Sequence, residues 1–273
     1  MSSLSNFRQR ALTALVAGTV AIAAISCSAW SYFALFLLVL VKAMLEFYQL
    51  ARLQGVVPAA LWGTLSSLLL YLLVFVYATG WLEATALYVL VPVLTLMFPA
   101  ALYRKGSASP FTDIAYTLLG VIYVGAPFAL LHLVAFWQGA FRAELVLGIV
   151  VLLWANDTGA YLVGSCVGRR KLFERISPQK TWEGSVGGGI FVLAIGCLLA
   201  RFFPILGSVQ WLGMGVIVVV AGTYGDLVES MLKRSVQVKD SGTAIPGHGG
   251  MLDRFDSFLL AVPLIVAFLR LGT

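Results

Sequence analysis

Uninterrupted apolar runs of about 20 residues recur from one end of this chain to the other, separated by short polar stretches, and no other feature constrains the fold so strongly. A helix of that length crosses a hydrocarbon core about 30 Å thick. The runs at 11–29, 31–51, 57–78, 81–102, 112–137, 143–166, 184–203, 209–232 and 255–271 therefore predict about nine transmembrane helices. Leu, Val and Ala follow one another without alternation, which excludes an outer-membrane barrel, whose strands alternate over segments of about 10 residues. Only 11% of the residues are charged, against roughly a quarter in a soluble domain. The expected fold class is all-α, a polytopic integral membrane protein.

The basic residues set the expected orientation. With the amino terminus in the cytoplasm, Arg8, Arg10, Arg52, Arg104, Lys105, Arg169, Arg170, Lys171, Arg175, Lys180, Lys233, Arg234, Lys239 and Arg254 fall on the cytoplasmic side. Arg142, Arg201 and Arg270 fall outside and Lys42 lies within a span, so the positive-inside rule predicts an N-in, C-out topology. The net charge of +6 then reports loop orientation and anionic headgroups; membrane lipids are expected partners and nucleic acid is not. Cys27, Cys166 and Cys197 lie in or beside apolar runs with no CxxC pair and no histidine nearby, so they read as packing residues rather than zinc ligands. No inverted repeat or long linker divides the chain. One membrane domain, 1–273, is expected, with a helical half 1–137 and a half 138–273 that holds the long charged segments 167–183 and 233–254.

Chemistry is expected in those charged segments. In Gly225–Arg234 a helix would gather Asp226, Glu229 and Lys233 on one side, because residues three and four apart share a face. Acids at membrane depth are costly unless they face a cavity, pair with a cation or hold a metal. A structural pair of Lys233 with Asp226 or Glu229 is the plainer alternative. The glycine-rich stretch Lys239–Gly250 resembles a phosphate cradle, although such a turn is weak testimony in isolation and His248 alone would be a structural residue. Asp253 and Asp256 then stand one turn apart at the start of the last helix, where capping would account for one of them. An antiparallel hairpin of the last two spans would bring Asp226 to Asp253 and Asp256. Such a cluster calls for a divalent cation, and all-oxygen ligands favour Mg²⁺, alone or with a second cation. Lys233, Arg234, Lys239 and Arg254 supply charge for phosphates, so the segment reads as a polyphosphate site.

At this point the sequence resembles the phosphatidate cytidylyltransferases, or CDP-diacylglycerol synthases. Their signature, S-x-x-K-R-x₄-K-D followed after a short spacer by P-G-H-G-G-x-x-D-R-x-D, is matched at Ser230, Lys233, Arg234, Lys239, Asp240, Pro246, Gly247, His248, Gly249, Gly250, Asp253, Arg254 and Asp256. The likeness extends to Asn156–Tyr161 with Gly168 and Arg169, and to Ser177–Gly184; Gln179 departs from the basic residue common there, which moves weight to Lys180. The resemblance implies Mg²⁺-dependent transfer of a cytidylyl group from CTP to phosphatidic acid by a homodimeric enzyme of the inner (plasma) membrane, its active site facing the cytoplasm. Asp226, Asp253 and Asp256 are then the expected metal ligands. Ser230, Lys233 and Arg234 lie near the reacting phosphates, and Lys239 and His248 are phosphate ligands. Asp157, Arg169, Lys180, Glu183, Gly247, Gly249, Gly250 and Arg254 are expected to bind substrate. A CTP-using transferase acting on another lipid is the nearest alternative, and an ion-coupled carrier is a more distant one.

Overall fold

The computed structural model describes the backbone of residues 3–104, 107–242 and 249–272, and within these every side chain except those of 3–12 and 14. Helix dominates. In chain order it comprises α1 (Ser3–Cys27), α2 (Ala29–Leu53), α3 (Ala60–Ala78), α4 (Leu90–Thr95), α5 (Met97–Leu102), α6 (Pro110–Gly120), α7 (Ala126–Ala135), α8 (Ala143–Val167), α9 (Trp182–Phe202), α10 (Ser208–Ile217), α11 (Thr223–Ser235) and α12 (Leu252–Leu271). A 3-10 segment, Ala84–Val89, leads into α4, while π-helical turns at Val121–Gly125 and Val218–Gly222 join α6 to α7 and α10 to α11.

Among the described residues, 7 helical stretches are long and apolar enough to cross a membrane: Ala29–Leu53, Ala60–Ala78, Ala84–Leu102, Pro110–Ala135, Ala143–Val167, Trp182–Phe202 and Ser208–Ser235. The described apolar part of α1 is the shorter Leu15–Cys27, and α12 carries Asp253, Arg254, Asp256 and Arg270 within its 20 residues. The chain is an all-α, multi-pass membrane protein. One element was not expected from the sequence: β1 (Lys171–Phe173) pairs antiparallel with β2 (Ser177–Thr181), setting Lys171 opposite Thr181 and Phe173 opposite Ser177.

The chain forms two compact units, Met1–Ala143 with Ser235–Arg254, and Glu144–Arg234 with Phe255–Thr273. In the first, rings pack around a buried His132, with the Tyr71 ring centroid 4.3 Å from it and the Tyr32 hydroxyl 3.0 Å from its Nδ1. The Tyr48 hydroxyl donates to the Thr117 carbonyl at 2.9 Å, passing a place where any side chain on Gly63 or Gly120 would collide with it. In the second unit, the fully buried Trp211 lies against Gly148 and donates from Nε1 to the Phe203 carbonyl at 3.1 Å. The α8 and α9 backbones touch: a Cβ on Gly188 would lie 2.8 Å from the Asn156 carbonyl oxygen. Without a hydrophobic force between helices in lipid, such small-residue contacts let van der Waals packing hold them together.

Candidate active site

The second unit brings together most of the acids that the sequence singled out. The α11 and α12 backbones meet at Gly225, where a Cβ would stand 2.6 Å from the Asp256 carbonyl oxygen, and the Ser257 hydroxyl donates to the Gly222 carbonyl at 2.9 Å. This contact puts Asp226, in the first turn of α11, within electrostatic reach of Asp256 on α12. Lys180, carried on β2, places its Nζ 2.6 Å from Asp226 Oδ2 and donates to the Thr223 carbonyl at 3.4 Å. The Ser230 hydroxyl donates to the other oxygen, Asp226 Oδ1, at 3.2 Å. Asp256 Oδ1 accepts from the Ser257 amide at 2.5 Å, and Asp256 lies within electrostatic reach of Asp226, Asp157 and Lys180. Asp256 is therefore acted on by two further carboxylates, Asp226 and Asp157, and by the Lys180 ammonium that pairs with Asp226, so negative charge is concentrated at this end of α11.

Lys233 is the cation of a different pair. Its Nζ lies 2.5 Å from Glu229 Oε2, with the side chains 13% and 0% exposed respectively, so of the two pairings left open by the helix register the structure has the one with Glu229. A pair this deeply buried fixes the ammonium, since either charge without the other would be costly. Arg234 is exposed on the same helix. Around the hairpin, Thr181 Oγ1 caps α9 by accepting from the Gly184 amide at 3.1 Å. The Glu183 carboxylate accepts from the amides of Arg169 and Arg170, each at 3.1 Å, and so braces the turn that leads into β1 while the Arg169 side chain stays exposed.

The first unit contains the glycine-rich segment. Asp253 Oδ2 accepts from the Ser241 amide at 3.0 Å and from the Gly250 amide at 2.8 Å. Gly249 has φ +80°, in the left-handed region that glycine adopts without strain, and a Cβ there would also meet Asp253 Oδ2 at 2.9 Å. Lys239, Asp240 and Arg254 are exposed, and Gly247 and His248 lie outside the described residues. A residue that the sequence reading passed over also belongs here: Glu46 of α2, 6% exposed, accepts hydrogen bonds from both flanks of this segment. Its signal was present as an acid inside the apolar run 31–51, which by default marks a functional group.

Among the described residues no three His, Cys, Asp or Glu side chains form a metal cage. Mg²⁺ does not need one, because it usually takes one or two carboxylates and completes its octahedron with waters and substrate phosphates. Asp226 and Asp256, acting on each other's charge with Ser230 alongside, are a donor set of that kind.

The chain belongs to the cytidylyltransferase family, whose model matches residues 8–272. It is similar to the phosphatidate cytidylyltransferase of Synechocystis sp., 32% identical over 293 residues that span 96% of each chain. The enzyme of the same name from Staphylococcus aureus (strain COL) is 38% identical over 194 residues, 69% of this chain and 71% of that one. That of Bacillus subtilis (strain 168) is 33% identical over 244 residues, 85% of this chain and 88% of its own.

Proposed function

We propose that the protein is a Mg²⁺-dependent phosphatidate cytidylyltransferase, converting CTP and phosphatidic acid to CDP-diacylglycerol and pyrophosphate. The observation that carries this reading is the Asp226–Lys180 pair with Asp256 within electrostatic reach of both and of Asp157, in a chain of the cytidylyltransferase family. The phosphate monoester of phosphatidic acid has a second pKa near 6, by analogy with phosphorylated side chains, so at neutral pH it is already a nucleophile and needs no general base. One of its oxygens forms a bond to the α-phosphorus of CTP as the bond from that phosphorus to the bridging oxygen breaks, and pyrophosphate leaves with the electron pair. The difficulty is the meeting of two anions, which fixed cations and positioning relieve.

In this reading Asp226 and Asp256 hold the metal and Asp157 adds to the field that attracts it. Bound there, Mg²⁺ would supply positive charge to phosphate oxygens as charge builds on the leaving group. Lys180, Lys233 and Arg234 compensate phosphate charge, Ser230 orients Asp226, and Lys239, His248 and Arg254 serve as further phosphate ligands. Asp253, the third ligand in this reading, has its Oδ2 held by the amides of Ser241 and Gly250. The cationic loops support an N-in, C-out orientation in an inner membrane with the active site in the cytoplasm. Homodimerisation belongs to the same reading and is read out by the mass of the detergent-solubilised protein.

The test is turnover by purified protein in detergent. CDP-diacylglycerol and pyrophosphate should form only with CTP, phosphatidic acid and a divalent ion together, and EDTA should abolish the reaction. Undiminished turnover after rigorous metal removal would overturn the Mg²⁺ assignment. Preference for a polyprenyl phosphate or an ether lipid in an acceptor panel would overturn the substrate.

A further inference from the structure

A carboxylate inside a membrane-spanning helix is costly unless donors surround it. Glu46 lies well within α2, and its Oε1 accepts from the Met251 amide at 2.9 Å while its Oε2 accepts from the Leu252 amide at 2.8 Å and the Ser241 hydroxyl at 3.2 Å. None of these donors is a cation. Met251 and Leu252 stand at the start of α12, where amides have no intrahelical acceptor and the helix dipole presents its positive end. An anion is the natural ligand of such an end, and here the protein supplies its own from 206 positions away.

Asp253 completes the arrangement from the other side. Ser241 gives its amide to Asp253 and its hydroxyl to Glu46, so the two carboxylates together tie Ser241 to the stretch Gly250–Leu252. The flanking glycines fit the same purpose. A Cβ on Gly242 would come within 2.7 Å of Glu46 Oε1, and one on Gly250 within 2.6 Å of Glu46 Oε2. The anion that these two glycines admit is therefore Glu46 itself.

We propose that Glu46 is a positioning residue for cytidylyl transfer. It ties Ser241 to Gly250–Leu252 and occupies the Met251 and Leu252 amides at the amino-terminal end of α12, so that CTP phosphates are met by cationic side chains and not by those amides. This assignment rests on the cytidylyltransferase reading above.

The experiment compares the full-length wild type with Glu46→Gln, Glu46→Leu and Ser241→Ala in detergent. Amide hydrogen exchange is followed by mass spectrometry in peptides covering 239–242 and 249–254, alongside kinetics in which CTP is varied at saturating phosphatidic acid. Glu46→Gln keeps the shape and one good acceptor, and should raise exchange in these peptides about tenfold, with Glu46→Leu greater and Ser241→Ala, which loses a single bond, about threefold. The kcat/KM for CTP should fall in the same order, by about tenfold for Glu46→Gln, while KM for phosphatidic acid stays put. Unaltered exchange in both Glu46 variants would refute the clamp. Faster exchange with unaltered kcat/KM for CTP would reduce Glu46 to a structural tie and overturn the positioning role. If the larger substitutions fail to fold, Ser241→Ala alone decides by the same two readouts. A wild type that shows the expected protection and yet no turnover with CTP would sink the proposed reaction and leave the clamp standing.

Discussion

Replacing Lys180 with Met tests whether Asp226 is a metal ligand, because the ammonium now occupies the side of the carboxylate that a cation would use. At the 2.6 Å between Lys180 Nζ and Asp226 Oδ2, unit charges attract by about 6 kcal/mol at an effective dielectric of ~20 and by about 1.6 kcal/mol in bulk water. The side chains are 25% and 36% exposed, so solvent and salt screen the pair, and its net worth is roughly 1–2 kcal/mol. A divalent ion that binds Asp226 must compete with that pairing. Removing the ammonium should accordingly tighten binding by roughly 5- to 30-fold, at about 1.4 kcal/mol per factor of ten. The assay is Mn²⁺ binding without CTP, followed by the electron paramagnetic resonance signal of the free ion. Lys180→Met should bind about tenfold more tightly than wild type, Asp226→Asn should bind weakly, and the double variant should behave as Asp226→Asn does. Turnover in Lys180→Met should nonetheless fall, since a cation facing the phosphates is gone. Equal Mn²⁺ affinity in wild type and Lys180→Met, with thermal unfolding unchanged, would refute the idea that lysine and metal compete for Asp226.

Glu229→Gln removes the charge opposite Lys233 where Glu229 is fully buried, so it should destabilise the protein by roughly 3–5 kcal/mol, seen as a lower Tm. The double variant Glu229→Gln/Lys233→Met should recover part of that loss, and a double variant no better than the single one would count against a buried pair. The cationic loops predict that a cysteine at position 172 is labelled only from the cytoplasmic side and that a reporter fused after Thr273 is exterior. A cytoplasmic carboxyl terminus would overturn the N-in, C-out topology.

The helices were legible because each must be apolar over its own length, whatever its neighbours do. The runs read at 143–166 and 184–203 correspond to Ala143–Val167 and Trp182–Phe202. The hairpin of β1 and β2 was not legible, because three- and five-residue strands beside a basic run leave too little alternation to detect. Nor was the identity of ion-pair partners. Helix register put Lys233 within reach of both Asp226 and Glu229, and only the depth of Glu229 and the arrival of Lys180 from a separate hairpin decide who pairs with whom. Glu46 was invisible as a clamp because its partners lie up to 206 positions away.

What separates the acids of this protein is the kind of donor each has been given. Glu46 and Asp253 are served by the amides of Ser241, Gly250, Met251 and Leu252 and by the Ser241 hydroxyl, donors that are neutral, fixed and supplied by the fold itself. Hydrogen bonds of this kind stabilise an ionised carboxylate without any mobile ion, so these two acids can do structural work whether or not a metal is bound. Asp226 and Asp256 stand under different conditions: Asp256 is acted on by Asp226 and Asp157, Asp226 pairs with Lys180 and accepts from Ser230, and Asp256 accepts from the Ser257 amide. Carboxylates that repel one another are relieved by a cation placed between them. The requirement for a divalent ion should therefore follow Asp226 and Asp256 and spare Glu46, although all three are acids at or beside membrane-spanning helices. Loss of Mn²⁺ binding in Glu46→Gln equal to that in Asp226→Asn would break this division.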